Sequence, residues 1–314
     1  MTVQGPETGF RCSTVSRDLG EPREGTASTV RAFVLLECPG PWGAEALRDA
    51  RLDTEVKARL RQLERETGIR PLLIRRASTG PGRRPPRVGH EPVRLVVAWT
   101  RGARPWAESA LLADPRDVLD LDLLRLARGE SVGLEPHPDP LHLVCTHGRH
   151  DACCAERGRP VATAFGRSAP EQSWEVSHIG GDRFAPNLLA LPQGLYYGGL
   201  EPTAVEAFLA THLAGQLDLE HLRGRTAYGF AVQAAEVELR RRLGLRDGGV
   251  LRVLRRERAD ALTRVVFELP TGPWEVVIRT TPGPTRRLTC SATGDAAPLV
   301  HEFVTAQPLP AVAG

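Results

Sequence analysis

The sequence predicts an α/β protein: two similar halves, each a mixed sheet with flanking helices, followed by a small C-terminal α+β domain. Three observations lead there. Apolar runs of strand length alternate with helical periodicities over residues 1–218. The order strand, helix, strand, strand, strand, helix occurs twice in that span. From residue 219 the character changes to one helix and then a series of strand-like runs.

Each element has a local reason. "TVRAFVLLEC" (29–38) is a continuous apolar run and reads as a buried strand, broken by "PGPWG". Asp53 precedes "TEVKARLRQLERETG", where Val56, Leu60 and Leu63 fall at helical spacing and Gly68 can end the helix. "RPLLIRR", "VRLVVAWT" and "AESALLA" are strands, with a Gly/Pro/Arg loop at 77–87 between the first two. "DPRDVLDLDLLRLARGE" reads as one helix, with Asp114 as cap and Pro115 at its first position. In the second half, "LHLVCT" is a strand, "DACCAERGRPVATAF" a proline-containing helix and "SWEVSH" a strand. "NLLALPQGLYYGGL" is a hairpin and "EPTAVEAFLATHLAG" a helix. This twice-used order fits a thioredoxin-like layer of sheet and helices. The expected domains are therefore two thioredoxin-like halves (1–135 and 136–218), an α+β domain (219–305) and a loose tail (306–314). In the α+β domain, "AYGFAVQAAEVELRRRLG" is the helix, and "GVLRVLRRE", "LTRVVFELP", "WEVVIRTT" and "RRLTCSA" are the strands.

Composition narrows the function. With 314 residues, 41% hydrophobic and 25% charged, the chain can bury a core of ordinary globular kind. Its net charge of +3 is small. The pairs and triplets Arg83–Arg84, Arg240–Arg241–Arg242 and Arg255–Arg256 are scattered, which suits solvated faces better than a nucleic-acid groove. No stretch approaches the roughly 20 apolar residues of a membrane span. The opening residues lack the basic and apolar regions of a secretion signal, so a reducing cytoplasm is expected. There, clustered thiols point to metal or redox chemistry. The cysteines are Cys12, Cys38, Cys145, Cys153, Cys154 and Cys290.

"CTHGRHDACCAERGRP" (145–160) gathers three of them with His147 and His150. Cys145 closes a strand, and Cys153 and Cys154 lie at the following helix start, where the helix dipole favours thiolate. Successive helical residues point about 100° apart, so these two should not face one centre. Two ligands alone make a poor site. "SHIGGDRF" supplies another pair, His178 and Asp182, across a Gly180–Gly181 turn. Loops leaving two neighbouring strands would bring the pairs together, and two ligands from each loop suit a [2Fe–2S] cluster.

These motifs resemble the sucrase/ferredoxin-like family, relatives of the thioredoxin-like [2Fe–2S] ferredoxins. The resemblance runs from "RCSTVSRDLGEP" and "GTAS" through "PGPWG" and "CTHGRHDACCAERGRP" to "HIGGDRFAPNLLALPQGLYYG". It implies a cluster held by two cysteines spaced like Cys145 and Cys154 and by an HxxxH motif. His178 matches the first histidine, and Asp182 stands where studied members have the second. What it implies for function is electron transfer with a reductase or an oxidising enzyme as partner, a carrier rather than a catalyst. The word sucrase carries no weight, because no acidic pair stands out among 38 Asp and Glu as a glycosidase would need.

The alternatives are a zinc protein using Cys145, Cys154, His178 and Asp182, a metal-free thiol oxidoreductase, and a scaffold without redox activity. Cys153 reads as a packed thiol beside the site, and His147 and His150 as solvated loop residues. Cys12, Cys38 and Cys290 are expected to pack singly, although "RCSTVSR" could fold over the site. Trp42 is expected to pack.

Overall fold

The structure, a computed structural model, describes residues 9–77 and 91–310. The loop expected at 77–87 lies, beyond Ala77, outside the described residues, as do Arg83–Arg84 and positions 311–314 of the expected tail.

A short helix, α1 (Cys12–Asp18), precedes β1 (Ala32–Glu37), which is buried at every position. After α2 (Ala46–Asp49) comes α3 (Thr54–Thr67), capped by Asp53, whose side chain accepts from the Glu55 N–H. Val56, Leu60 and Leu63 form its buried face, and Gly68 ends it at φ 71°. β2 (Arg70–Arg76) runs parallel to β1, while β3 (Val93–Trp99) pairs antiparallel with β1 and with β4 (Trp106–Leu112).

The single helix expected after Asp114 is two pieces. A 3-10 helix (Pro115–Asp120) closes a capping box between Asp114 and Asp117, then the chain extends at Leu121. Asp122 accepts from the Leu124 N–H and starts α4 (Leu124–Ala127) afresh, so side-chain competition for backbone donors divides the segment. β5 (Glu135–Pro136), a two-residue edge strand on β4, has no signal in the sequence.

The second half repeats the connectivity. β6 (Leu141–Cys145) leads through α5 (Ala152–Ser168) to β7 (Ser173–Val176), parallel to β6. Pro160 lies inside α5 without ending it. β8 (Asn187–Leu191) pairs antiparallel with β6, and β9 (Leu195–Gly198) with β8. α6 (Val205–Leu213) follows a short 3-10 turn at Pro202–Ala204, and β10 (Leu222–Arg225) adds to β9. The halves join where β2 meets β7 antiparallel, Ile74 opposite Val176. The result is one ten-stranded mixed sheet, ordered β10-β9-β8-β6-β7-β2-β1-β3-β4-β5.

α7 (Phe230–Leu243) then covers a separate antiparallel sheet of β11 (Val253–Ala259), β12 (Leu262–Leu269), β13 (Gly272–Pro282) and β14 (Leu299–Pro308). Val232, Ala235 and Leu239 pack there against Val265, Phe267, Val276 and Ile278. Two expectations fail in this region. "RRLTCSA" is loop, because its polar groups are taken elsewhere: Arg286 pairs with Glu21 at 2.7 Å, and the Cys290 N–H donates to Asp151 at 2.7 Å. The fourth strand is Leu299–Pro308 instead, and it includes the first residues of the stretch expected as tail. Arg240 is also not on a solvated face. It is buried, donating to Glu236 at 3.0 Å and to the Asp247 carbonyl at 2.6 Å. Among the described residues, no helix is long and apolar enough to cross a membrane.

Candidate metal centre

β6 and β7 are parallel neighbours, with Cys145 opposite Val176, so the loops that follow them leave the sheet at the same end. One loop turns into α5, where Asp151 caps the helix by accepting from the Cys153 N–H at 2.9 Å. Gly158 allows α5 to lie against the end of β6: a Cβ there would stand 2.1 Å from the Cys145 carbonyl oxygen. The other loop turns at Gly180 and Gly181, with φ 96° and 82°, conformations that favour glycine. Two arginines pin it. Arg70 donates to the carbonyls of His178 (3.0 Å) and Ile179 (3.2 Å). Arg223, buried, donates to the Gly180 carbonyl (3.1 Å) and Asn187 (2.7 Å).

This scaffold collects donor atoms. Cys145, Cys154 and His178 each offer one atom to a group no wider than 4.8 Å, and His150, His178 and Asp182 form an overlapping group of the same limit. The Cys154 thiol donates to Asp182 Oδ1 at 3.2 Å, and His178 Nδ1 is 3.0 Å from the same oxygen. All four residues singled out from the sequence therefore converge. Both thiols and the carboxylate are buried, and the imidazole is partly so. The histidines of the cysteine loop are not simply solvated. His150 stacks on His178 with ring centroids 3.7 Å apart, and His147 is buried, Nε2 to the Gly43 carbonyl at 2.8 Å and Nδ1 accepting from the His178 N–H. Trp42 packs as expected, its N–H donating to the Cys38 carbonyl at 2.7 Å.

A family model described as sucrase/ferredoxin-like matches residues 24–224, which takes in both loops. The chain belongs to the sucrase/ferredoxin-like family. No curated protein matches it. Two solved structures are similar to part of this family member, both cysteine-to-serine variants of the thioredoxin-like [2Fe–2S] ferredoxin from Aquifex aeolicus. Each is 19% identical and covers 27% of this chain and 97% of its own, with TM-scores of 0.24 and 0.23.

In this family member the four side chains shift one another's protonation. The Cys145 thiol is held well below its usual range by the hydrogen bond from Cys154, and by His178, against the effect of burial. Cys154 is correspondingly held high by Cys145 and by burial. Burial opposes charging of His178, but Asp182 and Cys145 outweigh it and raise the imidazole to about 9. Asp182, against its own burial, is held below the usual carboxylate range by His178. A cation site of two sulfurs, one nitrogen and one oxygen suits a soft to borderline metal.

A second group lies one residue away. Cys12, Asp151, Cys153 and Cys290 bring four donor atoms within 4.8 Å of one another. Cys153 Sγ is 3.4 Å from Cys290 Sγ, which is 3.6 Å from Cys12 Sγ. Cys12 and Cys290 thus do not pack singly, and Cys153 faces them rather than the first group. Cys153 is lowered to about 6, chiefly by the hydrogen bond from Cys12, whereas burial foremost pushes Cys290 up to about 11. The position of Cys12 follows from "RCSTVSR" lying over the site. Cys290 is 137 residues from Cys153, on the loop between β13 and β14, and no spacing in the sequence signals it.

Proposed function

We propose that Cys145, Cys154, His178 and Asp182 hold a [2Fe–2S] cluster and that the protein is a cytoplasmic carrier of single electrons. The observation that carries this reading is the convergence of these four side chains from two loops: Cys145, Cys154 and His178 offer donor atoms within 4.8 Å of one another, and Asp182 Oδ1 lies 3.2 Å from Cys154 Sγ and 3.0 Å from His178 Nδ1. Repetition of the same strand connectivity in both halves supports tandem thioredoxin-like units.

A bound cluster would supply one-electron exchange. The chain's own residues set its conditions. Asp182 adds a negative charge that a second histidine would not, so the centre should be harder to reduce than one with two histidine ligands. His178 keeps one ring nitrogen free to take a proton when the centre is reduced. Arg70 and Arg223 hold the His178–Asp182 loop in place. His150, 36% exposed and stacked on His178, marks the face where a reductase or an oxidising enzyme would dock.

Anaerobic purification with iron and sulfide analysis, visible spectra and EPR tests the reading. About two irons and two sulfides per chain are expected. Colourless protein without inorganic sulfide would sink it, and zinc lost on Cys145→Ser or His178→Ala would establish the zinc alternative.

A further inference from the structure

We infer that Cys12, Asp151, Cys153 and Cys290 form a second, mononuclear Zn²⁺ site of three thiolates and one carboxylate oxygen, independent of the centre proposed above. Three of its edges have the length a single tetrahedron requires, and all four donors lie within 4.8 Å of one another. Zinc–sulfur bonds of about 2.3 Å and zinc–oxygen bonds of about 2.0 Å place tetrahedral ligands roughly 3.8 Å (sulfur to sulfur) and 3.5 Å (sulfur to oxygen) apart. The observed edges are 3.4 and 3.6 Å between sulfurs, and 3.7 and 3.8 Å from Cys12 Sγ to the two oxygens of Asp151. All four donors belong to one group, unlike the overlapping pair of groups at the first centre.

The surroundings hold the ligands in that arrangement. The carboxylate of Asp151 is fixed by two backbone donors, Cys153 N–H at 2.9 Å and Cys290 N–H at 2.7 Å, the kind of outer contact that orients a metal-bound carboxylate. Cys12 and Cys153 are buried, and Cys290 is half-buried on the loop between β13 and β14. That loop is clamped on both sides: Arg286 pairs with Glu21 at 2.7 Å, and Arg287 lies over the Phe10 ring at 4.3 Å. Three thiols from α1, the start of α5 and the C-terminal domain therefore meet at one point. Four protein ligands leave the zinc no open position, so its work here is structural. It staples the N-terminal helix and the C-terminal domain to the turn of α5 that carries Cys154.

Elemental analysis of the full chain, produced with zinc and iron supplied and then exhaustively dialysed, tests this. About one zinc per chain is expected. Cys12→Ser and Cys290→Ser should each lower it at least tenfold and leave the iron content and visible spectrum in place, whereas Cys38→Ser, a buried thiol outside both groups, should keep the zinc. Cobalt substituted at the site should show thiolate charge-transfer bands that weaken in Cys290→Ser. Absence of zinc, zinc that survives both replacements, or a disulfide among Cys12, Cys153 and Cys290 in freshly isolated protein would each overturn the assignment. Zinc is read independently of iron, so colourless protein that retains it would refute the cluster and leave this site standing.

Discussion

Cys153 and Cys154 are adjacent on the first turn of α5 yet face different groups of candidate ligands. Cys154 Sγ is 3.2 Å from Asp182 Oδ1, and Cys153 Sγ is 3.4 Å from Cys290 Sγ. The roughly 100° step between helical neighbours makes this division possible. Replacement of each by serine should separate two functions. Cys154→Ser is expected to lose iron, sulfide and visible absorption, because it removes one of only two soft ligands. Cys153→Ser should keep them at near wild-type stoichiometry. Iron and sulfide assays on the two variants decide, and equal loss in both would mean the groups are not separate.

Gly158 makes a different demand on the same helix. In an open helix, Gly to Ala stabilises by about 1 kcal/mol. Here the new Cβ would lie 2.1 Å from the Cys145 carbonyl oxygen, and backbone on both sides must move. Overpacking of this kind costs about 1–3 kcal/mol, so the clash outweighs the propensity gain. Gly158→Ala should melt several degrees lower and hold less metal, since the displaced strand end carries the proposed ligand Cys145. A rise in Tm with unchanged metal content would show that α5 and β6 are not so closely packed.

Most strands of the large sheet, the longer helices and the two loops of the candidate site were legible in the sequence because each has a local cause. Continuous apolar runs give β1 and β6, the Val56–Leu60–Leu63 spacing gives α3, and a pair of glycines gives the turn before Asp182. Residues that act across the fold were not. Arg223 looks like one arginine among many, yet its buried guanidinium bonds the Thr26 hydroxyl, the Gly180 carbonyl and Asn187. Cys290 lies in a segment with strand-like composition that becomes loop only because Glu21 and Asp151 capture its polar groups. Pairings of that range leave no periodicity to read.

His142 sets an acid limit on stability. Its ring stacks on Phe165, Nε2 lies 3.1 Å from His212 Nδ1, and Nδ1 is buried without a partner. Burial, and secondarily His212, pushes its pKa down to about 3. An unfolded chain would take up a proton near pH 6.5, which the folded one refuses until about 3. The stabilisation from a neutral His142 is therefore complete above pH 6.5 and declines as pH falls toward 3. One such proton gives a slope of up to about 1.4 kcal/mol per pH unit. Urea midpoints measured from about pH 4 to 7 should rise with pH, and His142→Leu should flatten that dependence. An unchanged slope in the variant would place the acid sensitivity elsewhere.

Asp182 offers the sharpest test of the ligand set, because its charge and its hydrogen-bonding role make opposite demands. Two thiolates and a carboxylate around an oxidised core of charge 2+ leave about −1, and a neutral histidine in place of the carboxylate leaves about 0. A less negative centre accepts an electron more readily. Asp182→His should therefore raise the midpoint potential while keeping iron and sulfide, and Asp182→Ala should lose them. The new imidazole would add a second titrating group, so the midpoint of Asp182→His should fall more steeply with rising pH than that of the unaltered protein. If Asp182 served only to hold His178 through their 3.0 Å contact, removing it would disturb the loop without a consistent change in potential. Redox titrations of the two proteins at several pH values distinguish these cases, and a midpoint that is unchanged or lower in Asp182→His would remove aspartate from the ligand set.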